Sequence, residues 1–379
     1  MRIIDATRGR PHALQLALCD EMLTAQLENY FAENGMDVRN YGGGDGIPEM
    51  KRIFAELLRV DMNEVIVGGN SSLNMMFDCV ATFVLERKWG ANSKFICPSP
   101  GYDRHFSICE YFGIEMITVP MTPDGPDMDA VEELVRDPQV AGMFCVPVFS
   151  NPQGYVYSDE TIARLAKMHA AHPAFRIIWD DAYTIHHFSG ERPQPLNILD
   201  ECRKNDNESR PILFTSFSKI SVAGASVSCA AAAGESFKIL QKRIAAQTIG
   251  PDKINQLRHA RYFKNKNGIE AHMKKHAEIL RPKFELVINA FEKNFAATNA
   301  TFTKPLGGYF ISVEIPGNAK HVCQLCKDSG VIITEAGATF PYGIDPADSN
   351  LRFAPTFLSS EELEKALEVF CLSVQKAVK

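Results

Sequence analysis

Four short segments, each directly after a β-rich apolar run, carry groups that could do chemistry together: Ser150-Asn151-Pro152-Gln153-Gly154, Asp180-Asp181-Ala182-Tyr183, Ser216-Phe217-Ser218-Lys219 and Asn350-Leu351-Arg352. A lysine amine can form a Schiff base, a carboxylate can pair with a protonated ring nitrogen, and a planar guanidinium can hold a carboxylate through two parallel hydrogen bonds. That is the functional-group set of a pyridoxal phosphate (PLP) site. Taken singly, each segment has a plainer reading. Lys219 fits a surface lysine at a strand end, Asp180 with Asp181 fits a metal site or a helix cap, Asn-Pro-Gln-Gly is a turn sequence, and any arginine can make a surface salt bridge.

The surroundings sharpen some of these. Lys219 follows an apolar strand and a Ser-x-Ser turn, where an amine is partly desolvated and can be held neutral. Gly68-Gly69-Asn70-Ser71-Ser72 follows a strand and precedes a helix read over Leu73 to Phe83, so its N–H groups and hydroxyls can receive a phosphate. It lacks the Gly-Lys-Ser/Thr ending of a P-loop. Tyr41-Gly42-Gly43-Gly44-Asp45-Gly46 has no strand before it and so makes no dinucleotide fingerprint. Cys323 and Cys326 form a lone Cys-x-x-Cys in a helical pattern without a second ligand pair, which reads as packing.

The elements that must position these groups alternate. From about residue 48 to 235, helical patterns alternate with short apolar runs, the habit of a parallel sheet with helices on its faces. Strands are expected at Val65-Ile66-Val67, Lys94-Phe95-Ile96-Cys97, Gly142 to Val146, Arg176 to Trp179 and Ile212 to Thr215, and the polar residues above lie just past their C-terminal ends, the edge where open α/β sheets bind ligands. Pro48 opens a helix with Ile53, Phe54, Leu57 and Leu58 as its apolar stripe. A long helix is expected from Gly268 to Phe295, followed by strands at Gly307 to Val313, Val331 to Thr334 and Leu351 to Ala354, and a closing helix from Ser360 to Ala377.

With 379 residues, 45% of them hydrophobic, the chain exceeds what one compact core usually supports, so two domains are expected. A net charge of −6 with no long basic run argues against nucleic acid or an anionic membrane as the main partner. The first ten residues hold no uninterrupted apolar stretch, and the ten cysteines are scattered in apolar segments, so a cytoplasmic protein with reduced thiols is expected.

Over nearly its whole length the chain resembles a fold type I PLP-dependent aminotransferase, and within that superfamily the bacterial aspartate aminotransferases of subgroup Ic. The stretches that carry the resemblance most specifically are Val67 to Ser72, Pro100-Gly101-Tyr102-Asp103-Arg104-His105-Phe106, and Gln247 to Lys253 with Asn255 to His259. The resemblance implies an α/β chain of the PLP-dependent transferase fold type I: a large domain (41–285) with a mostly parallel seven-stranded sheet between helices, a smaller α+β domain (286–379), and an N-terminal segment (1–40) contributing to the smaller one. It implies that Lys219 forms the Schiff base, that Asp180 pairs with the pyridine nitrogen, and that Tyr183 and Asn151 bond the phenolic oxygen of the cofactor. Tyr102 would stack on the ring and His105 would support Asp180. Gly69, Asn70, Ser71 and Ser216 would hold the phosphate, with Tyr41 entering from a second subunit of a homodimer. Arg352 would bind the substrate carboxylate, with Gly9 and Asn151 beside the substrate.

The chain departs from that pattern at Ser226, seven residues after Lys219, where many type I aminotransferases place a phosphate-neutralising arginine. Lys253 and Arg258 are the candidates to supply the charge, and Arg10, Arg104 and Arg258 those for a substrate side-chain carboxylate. The expected activity is transfer of an amino group between an amino acid, aspartate first, and a 2-oxo acid, 2-oxoglutarate first. The alternatives are a PLP-dependent lyase or decarboxylase on the same scaffold, and a non-catalytic PLP-binding module.

Overall fold

The structure is a computed structural model that describes residues 3–7, 9–90 and 92–378. Its strands are β1 (Ile4–Ala6), β2 (Val65–Val67), β3 (Lys94–Ser99), β4 (Glu115–Thr122), β5 (Gly125–Pro126), β6 (Val140–Cys145), β7 (Arg176–Asp180), β8 (Pro211–Ser216), β9 (Ser228–Ala232), β10 (Thr301–Phe302), β11 (Ile311–Glu314), β12 (Val331–Ile333) and β13 (Asn350–Phe353).

One large sheet has the order β2-β9-β8-β7-β6-β3-β4-β5. The five strands from β8 to β4 are mutually parallel, while β9 and β5 run antiparallel to their neighbours. The sheet is mostly parallel, as expected, with eight strands rather than seven; the eighth is the two-residue edge β5, which folds back on β4. Both faces are buried, and the pleat divides each strand between two cores. Val65, Val67, Ile96, Ile177, Trp179, Leu213 and Cys229 pack on one face, while Ile66, Phe95, Cys97, Ile178, Ile212, Phe214 and Ala230 pack on the other.

A third core holds the C-terminal elements. It gathers β11, β13, the helices Ala319–Asp328 and Ser360–Ala377, and the second half of the 30-residue helix Lys266–Phe295. That helix changes partners along its length: Ile269 and Met273 belong to the first core, and Ala277, Leu280, Phe284, Val287 and Phe291 to the third. The strand β1 pairs in parallel with β12, which ties the N-terminus to the C-terminal elements.

Five strands were not expected: the short β1, β5 and β10, and the longer β4 and β9. In β9 the segment Ser228-Cys229-Ala230-Ala231-Ala232 is rich in alanine, which disfavours strands by itself, and its pairing with β2 and β8 overrides that preference. β4 carries Pro120, which weakens the sequence signal of a strand. Conversely, the strand expected from Gly307 begins only at Ile311. Gly308 has φ +83°, and a Cβ on Gly307 would come within 2.5 Å of the His186 carbonyl oxygen and within 2.3 Å of the Phe149 ring, so this stretch is a close-packed turn.

Phe291 is fully buried amid Phe295, Phe302, Phe353 and Phe370, with ring centroids 4.9, 5.3, 5.8 and 5.5 Å away. Phe353 follows Arg352 on β13, so this cluster sets where the arginine stands. Phe291→Ala is expected to cost about 3–5 kcal/mol, read from urea unfolding, since the neighbouring rings cannot all collapse into the void.

Candidate active site

After β8 the chain turns at 217–220 and presents Lys219. Phe217 anchors the turn, fully buried against Phe54 and Phe263 with centroids 5.3 and 5.2 Å away. Three histidines bind the turn from around it. His186 Nε2 lies 3.4 Å from the Lys219 carbonyl oxygen, His272 Nε2 lies 2.8 Å from that of Ile220, and His259 Nε2 lies 2.9 Å from Ser221 Oγ. Burial pushes His186 down to about 3 and His259 down to about 4, so both imidazoles are neutral at physiological pH. The amine of Lys219 stands 4.8 Å from the centroid of the Tyr183 ring and 5.9 Å from that of Tyr309. Burial holds it below the usual lysine range, with the carboxylate of Asp180 partly opposing.

Asp180 ends β7, the strand beside β8, and is 3% exposed. Its Oδ2 lies 3.0 Å from His105 Nε2. The His105 ring is stacked on Phe144, centroids 4.3 Å apart and planes 11° from parallel, and meets Tyr102 edge-on at 5.0 Å. The other oxygen, Oδ1, is buried without a hydrogen-bond partner.

The glycine-serine loop closes the same sheet edge. Ser71 caps the helix Ser72–Leu85 without a side-chain hydrogen bond, which leaves first-turn N–H groups available. A Cβ at Gly69 would meet nothing within 4 Å, so the backbone there faces open space. Ser218 Oγ donates to the Asn70 carbonyl at 3.1 Å, and Ser216 Oγ donates to Ser218 Oγ at 3.1 Å. The loop is thereby fastened to the lysine turn.

A cavity of about 510 Å³ joins these elements to the C-terminal ones; Tyr102, Asn151, Tyr183, Lys219 and Arg352 line it, with Gly9 at its N-terminal wall. Arg352, 6% exposed, points Nη1 at Asn151 Oδ1 (3.2 Å) and Asp103 Oδ1 (3.1 Å), and Nε at Thr334 Oγ1 (3.4 Å). Its guanidinium lies 4.9 Å from the centroid of the Phe310 ring. A Cβ on Gly9 would fall 2.6 Å from the tip of that ring, so only glycine lets the N-terminal segment pass so close.

Of the residues singled out in the sequence, Lys219, Tyr183, Asn151, Tyr102, Arg352 and Gly9 share this cavity, as do Arg10 and Arg104. Asp180 and His105 stand behind Tyr102. Gly69, Asn70 and Ser71 border an adjoining cavity of about 260 Å³. Tyr41 is 80% exposed on its own chain. Lys253 and Arg258 lie on the helix Lys253–Phe263 and line neither cavity. Ser226 is buried, and Asn255 Nδ2 donates to its carbonyl at 3.0 Å. Cys326 is buried in the third core, and Cys323 Sγ donates to the Thr334 carbonyl at 3.6 Å, so both pack as part of the helix Ala319–Asp328. Sequence reasoning overlooked Tyr309, His186, Ser218 and Asp103. Ser218, two residues from Ser216, and Asp103, next to Tyr102, lay in segments already singled out; Tyr309 and His186 meet the site through contacts distant in sequence.

The family described as aspartate amino-transferase matches residues 2–379. An aspartate aminotransferase of Corynebacterium glutamicum is 46% identical over 376 residues, covering 96% of this chain and 87% of that protein. The chain belongs to the aspartate amino-transferase family. A crystal structure of an aspartate transaminase from the same organism superimposes with a TM-score of 0.95 at 44% identity, covering 100% of this chain and 92% of that one. A Pyrococcus horikoshii kynurenine aminotransferase, 18% identical with a TM-score of 0.84 over 100% of this chain and 92% of that one, shares the fold.

The protein is therefore a PLP-dependent transaminase of fold type I, and no helix among its described residues is long and apolar enough to cross a membrane. The residues present fit the cofactor this family implies. The unpartnered Oδ1 of Asp180 calls for a buried donor, which a protonated pyridine nitrogen is, and the open space and free N–H groups at Gly69 to Ser71 suit a phosphate.

The neighbouring Asp181 behaves differently. It is 8% exposed, its Oδ1 has no partner, and burial raises its pKa from 3.8 to about 7 against the pull of Arg192 and Thr184. The folded state then keeps a proton that the unfolded state loses above pH ~4, so Asp181 costs stability as pH rises from there to ~7. Asp181→Asn removes that dependence. Its stability relative to wild type is expected to be greater at pH 8 than at pH 5 by ~1–3 kcal/mol, measured by denaturant unfolding at the two pH values.

Proposed function

We propose that the protein transfers the amino group of aspartate to 2-oxoglutarate in a ping-pong cycle, as a cytoplasmic homodimer with shared active sites. The observation that carries this reading is the meeting of Lys219, Asn151, Tyr183 and Arg352 in one cavity, with the half-bonded carboxylate of Asp180 within electrostatic reach of Lys219. When bound, PLP supplies an aldehyde that takes up the amino group, a ring that accepts the electrons of the substrate Cα, and a carrier between the two substrates.

Each protein group then has a task. Lys219 is the point of attachment. With its amine free, its Nζ would take the proton from the substrate Cα, which its lowered pKa suits because more of the amine is neutral. Asp180, held by His105, keeps the pyridine nitrogen protonated, and Tyr102 covers the ring. Tyr183 and Asn151 bond the phenolic oxygen; Gly69, Asn70, Ser71 and Ser216 hold the phosphate. Arg352 binds the α-carboxylate beside Gly9, and its seat on Asn151 couples substrate binding to the cofactor side of the cavity.

Arg10 on the cavity wall favours a second carboxylate on the substrate, in keeping with the name of the 46% identical relative. Tyr41 is 80% exposed, and no partner is found for its hydroxyl among the described residues, as for a residue donated to a partner subunit.

Lys219→Ala is expected to lower the transamination rate by on the order of 10³-fold or more, followed by 2-oxo acid formation from aspartate. A variant that retains the wild-type rate removes the central assignment. Arg352→Gln is expected to raise KM for the amino acid by roughly 10²-fold, with a smaller change in kcat. Among donors, aspartate and cysteate should be converted well ahead of alanine and phenylalanine; equal turnover of all of them would rule out a dicarboxylate enzyme.

A further inference from the structure

We infer that Asp103 is a displaceable counter-ion, a positioning residue that holds Arg352 between turnovers and moves to Arg104 when a substrate carboxylate arrives. This rests on reading Arg352 as the α-carboxylate site. Asp103 is the first residue of the helix Asp103–Phe112, its side chain is 33% exposed, and its two oxygens lie between two guanidinium groups. Oδ1 is 3.1 Å from Arg352 Nη1, and Oδ2 is 3.9 Å from Arg104 Nε.

The hydrogen-bond inventory of Arg352 makes the exchange necessary. Nε is engaged with Thr334 Oγ1 and Nη1 with two acceptors, Asn151 Oδ1 and Asp103 Oδ1, while no partner is found for Nη2 among the described residues. A carboxylate that binds end-on takes one N–H from each terminal nitrogen, so it must displace or share an acceptor on Nη1. Both line the cavity, but Asn151 is 3% exposed and held within its Asn-Pro turn, whereas the Asp103 side chain is 33% exposed. Asp103 is also the charged one of the two, and an incoming carboxylate beside it would meet a like charge at close range. It is therefore the group that leaves, and Arg104 gives it a seat already within one side-chain rotation.

The arrangement has a consequence for selectivity. A buried guanidinium without a counter-charge is costly, and Asp103 removes that cost in the free protein. Substrate binding then exchanges one carboxylate for another, so a ligand that lacks a carboxylate gains nothing from Arg352.

The test uses the cofactor-loaded protein, titrated calorimetrically with propionate and with succinate. Asp103→Asn, which keeps the shape and removes the charge, is expected to lower the dissociation constant of both probes on the order of three- to tenfold. KM for the amino acid should fall by a similar factor, and Asp103→Glu should bring the dissociation constants back toward wild type. Arg104→Gln, which removes the second seat, is expected to weaken binding of both probes. Unchanged or weaker binding in Asp103→Asn would mean that the carboxylate merely orients Arg352 and is never displaced, and unchanged binding in Arg104→Gln would overturn the move to Arg104. If Arg352→Gln binds both probes as wild type does, the carboxylate site lies elsewhere, and the proposed function of Arg352 fails together with this inference.

Discussion

A carboxylate buried at the end of a central strand with only one of its oxygens bonded is the constraint around which the site is built. Removing such a charge from water costs several kcal/mol unless it is paired. Asp180 has a partner for Oδ2 in His105, whose ring cannot swing away because it lies flat on Phe144 with Tyr102 against its edge. Nothing within the described chain satisfies Oδ1. The protein thus carries a polar debt that a protonated ring nitrogen would settle, and the strands to either side deliver what such a ring needs. In the parallel sheet Asp180 is level with Phe214 on β8, so the turn after β8 brings Lys219 to the same edge, while the loop after β6 brings Asn151. Parallel strands with both faces buried fix this alignment, since a shift of one residue would turn every core side chain to the opposite face.

The second half of the site comes from a different core and approaches from above. Arg352 is on β13, next to Phe353 in the aromatic cluster, and reaches down to Asn151. Thr334 links it onward: its hydroxyl accepts from Arg352 Nε and donates to the Thr7 carbonyl, so the N-terminal segment, β12 and the arginine form one connected unit. Gln15, fully buried, extends that unit by donating to the Tyr309 hydroxyl, the ring of which faces Lys219. Groups from the beginning and the end of the chain are therefore joined through Thr334 and the pairing of β1 with β12 rather than through the large sheet.

How much of this could be read from sequence follows from the range of the interactions. The strand ends that present Asn151, Asp180 and Lys219 were legible because apolar runs bounded by turn residues are local signals, and so were the helices Pro48–Leu58 and Ser360–Ala377, whose apolar stripes are self-contained. β9 was not, because its alanines become a strand only through pairing on both sides. The turn at Gly307 and Gly308 was read as strand because its apolar continuation hid the packing of those glycines against Phe149 and His186. Asp103 was visible only as part of a resembling motif. Its contact with Arg352 spans 249 positions, and no local pattern encodes such a distance.

The absence of an arginine at Ser226 also has a physical reading. That position is closed: Ser226 is 2% exposed, and Asn255 Nδ2 donates to both its carbonyl and that of Ala225, joining this stretch to the helix Lys253–Phe263. A guanidinium there would need room that this closed position does not leave. Lys253 and Arg258 lie outside both cavities of their own chain, and Arg243, which lines the cavity beside Gly69 to Ser71, is already paired with Asp78 at 2.8 Å; the further donors for a phosphate are neutral ones, the N–H groups at the start of the helix Ser72–Leu85 and the hydroxyls of Ser71, Ser216 and Ser218. The helix terminus contributes the equivalent of about half a positive charge. A phosphate seated there would be held by geometry more than by net charge, which makes the fastening of the loop to the lysine turn through Ser218 as consequential as any cation.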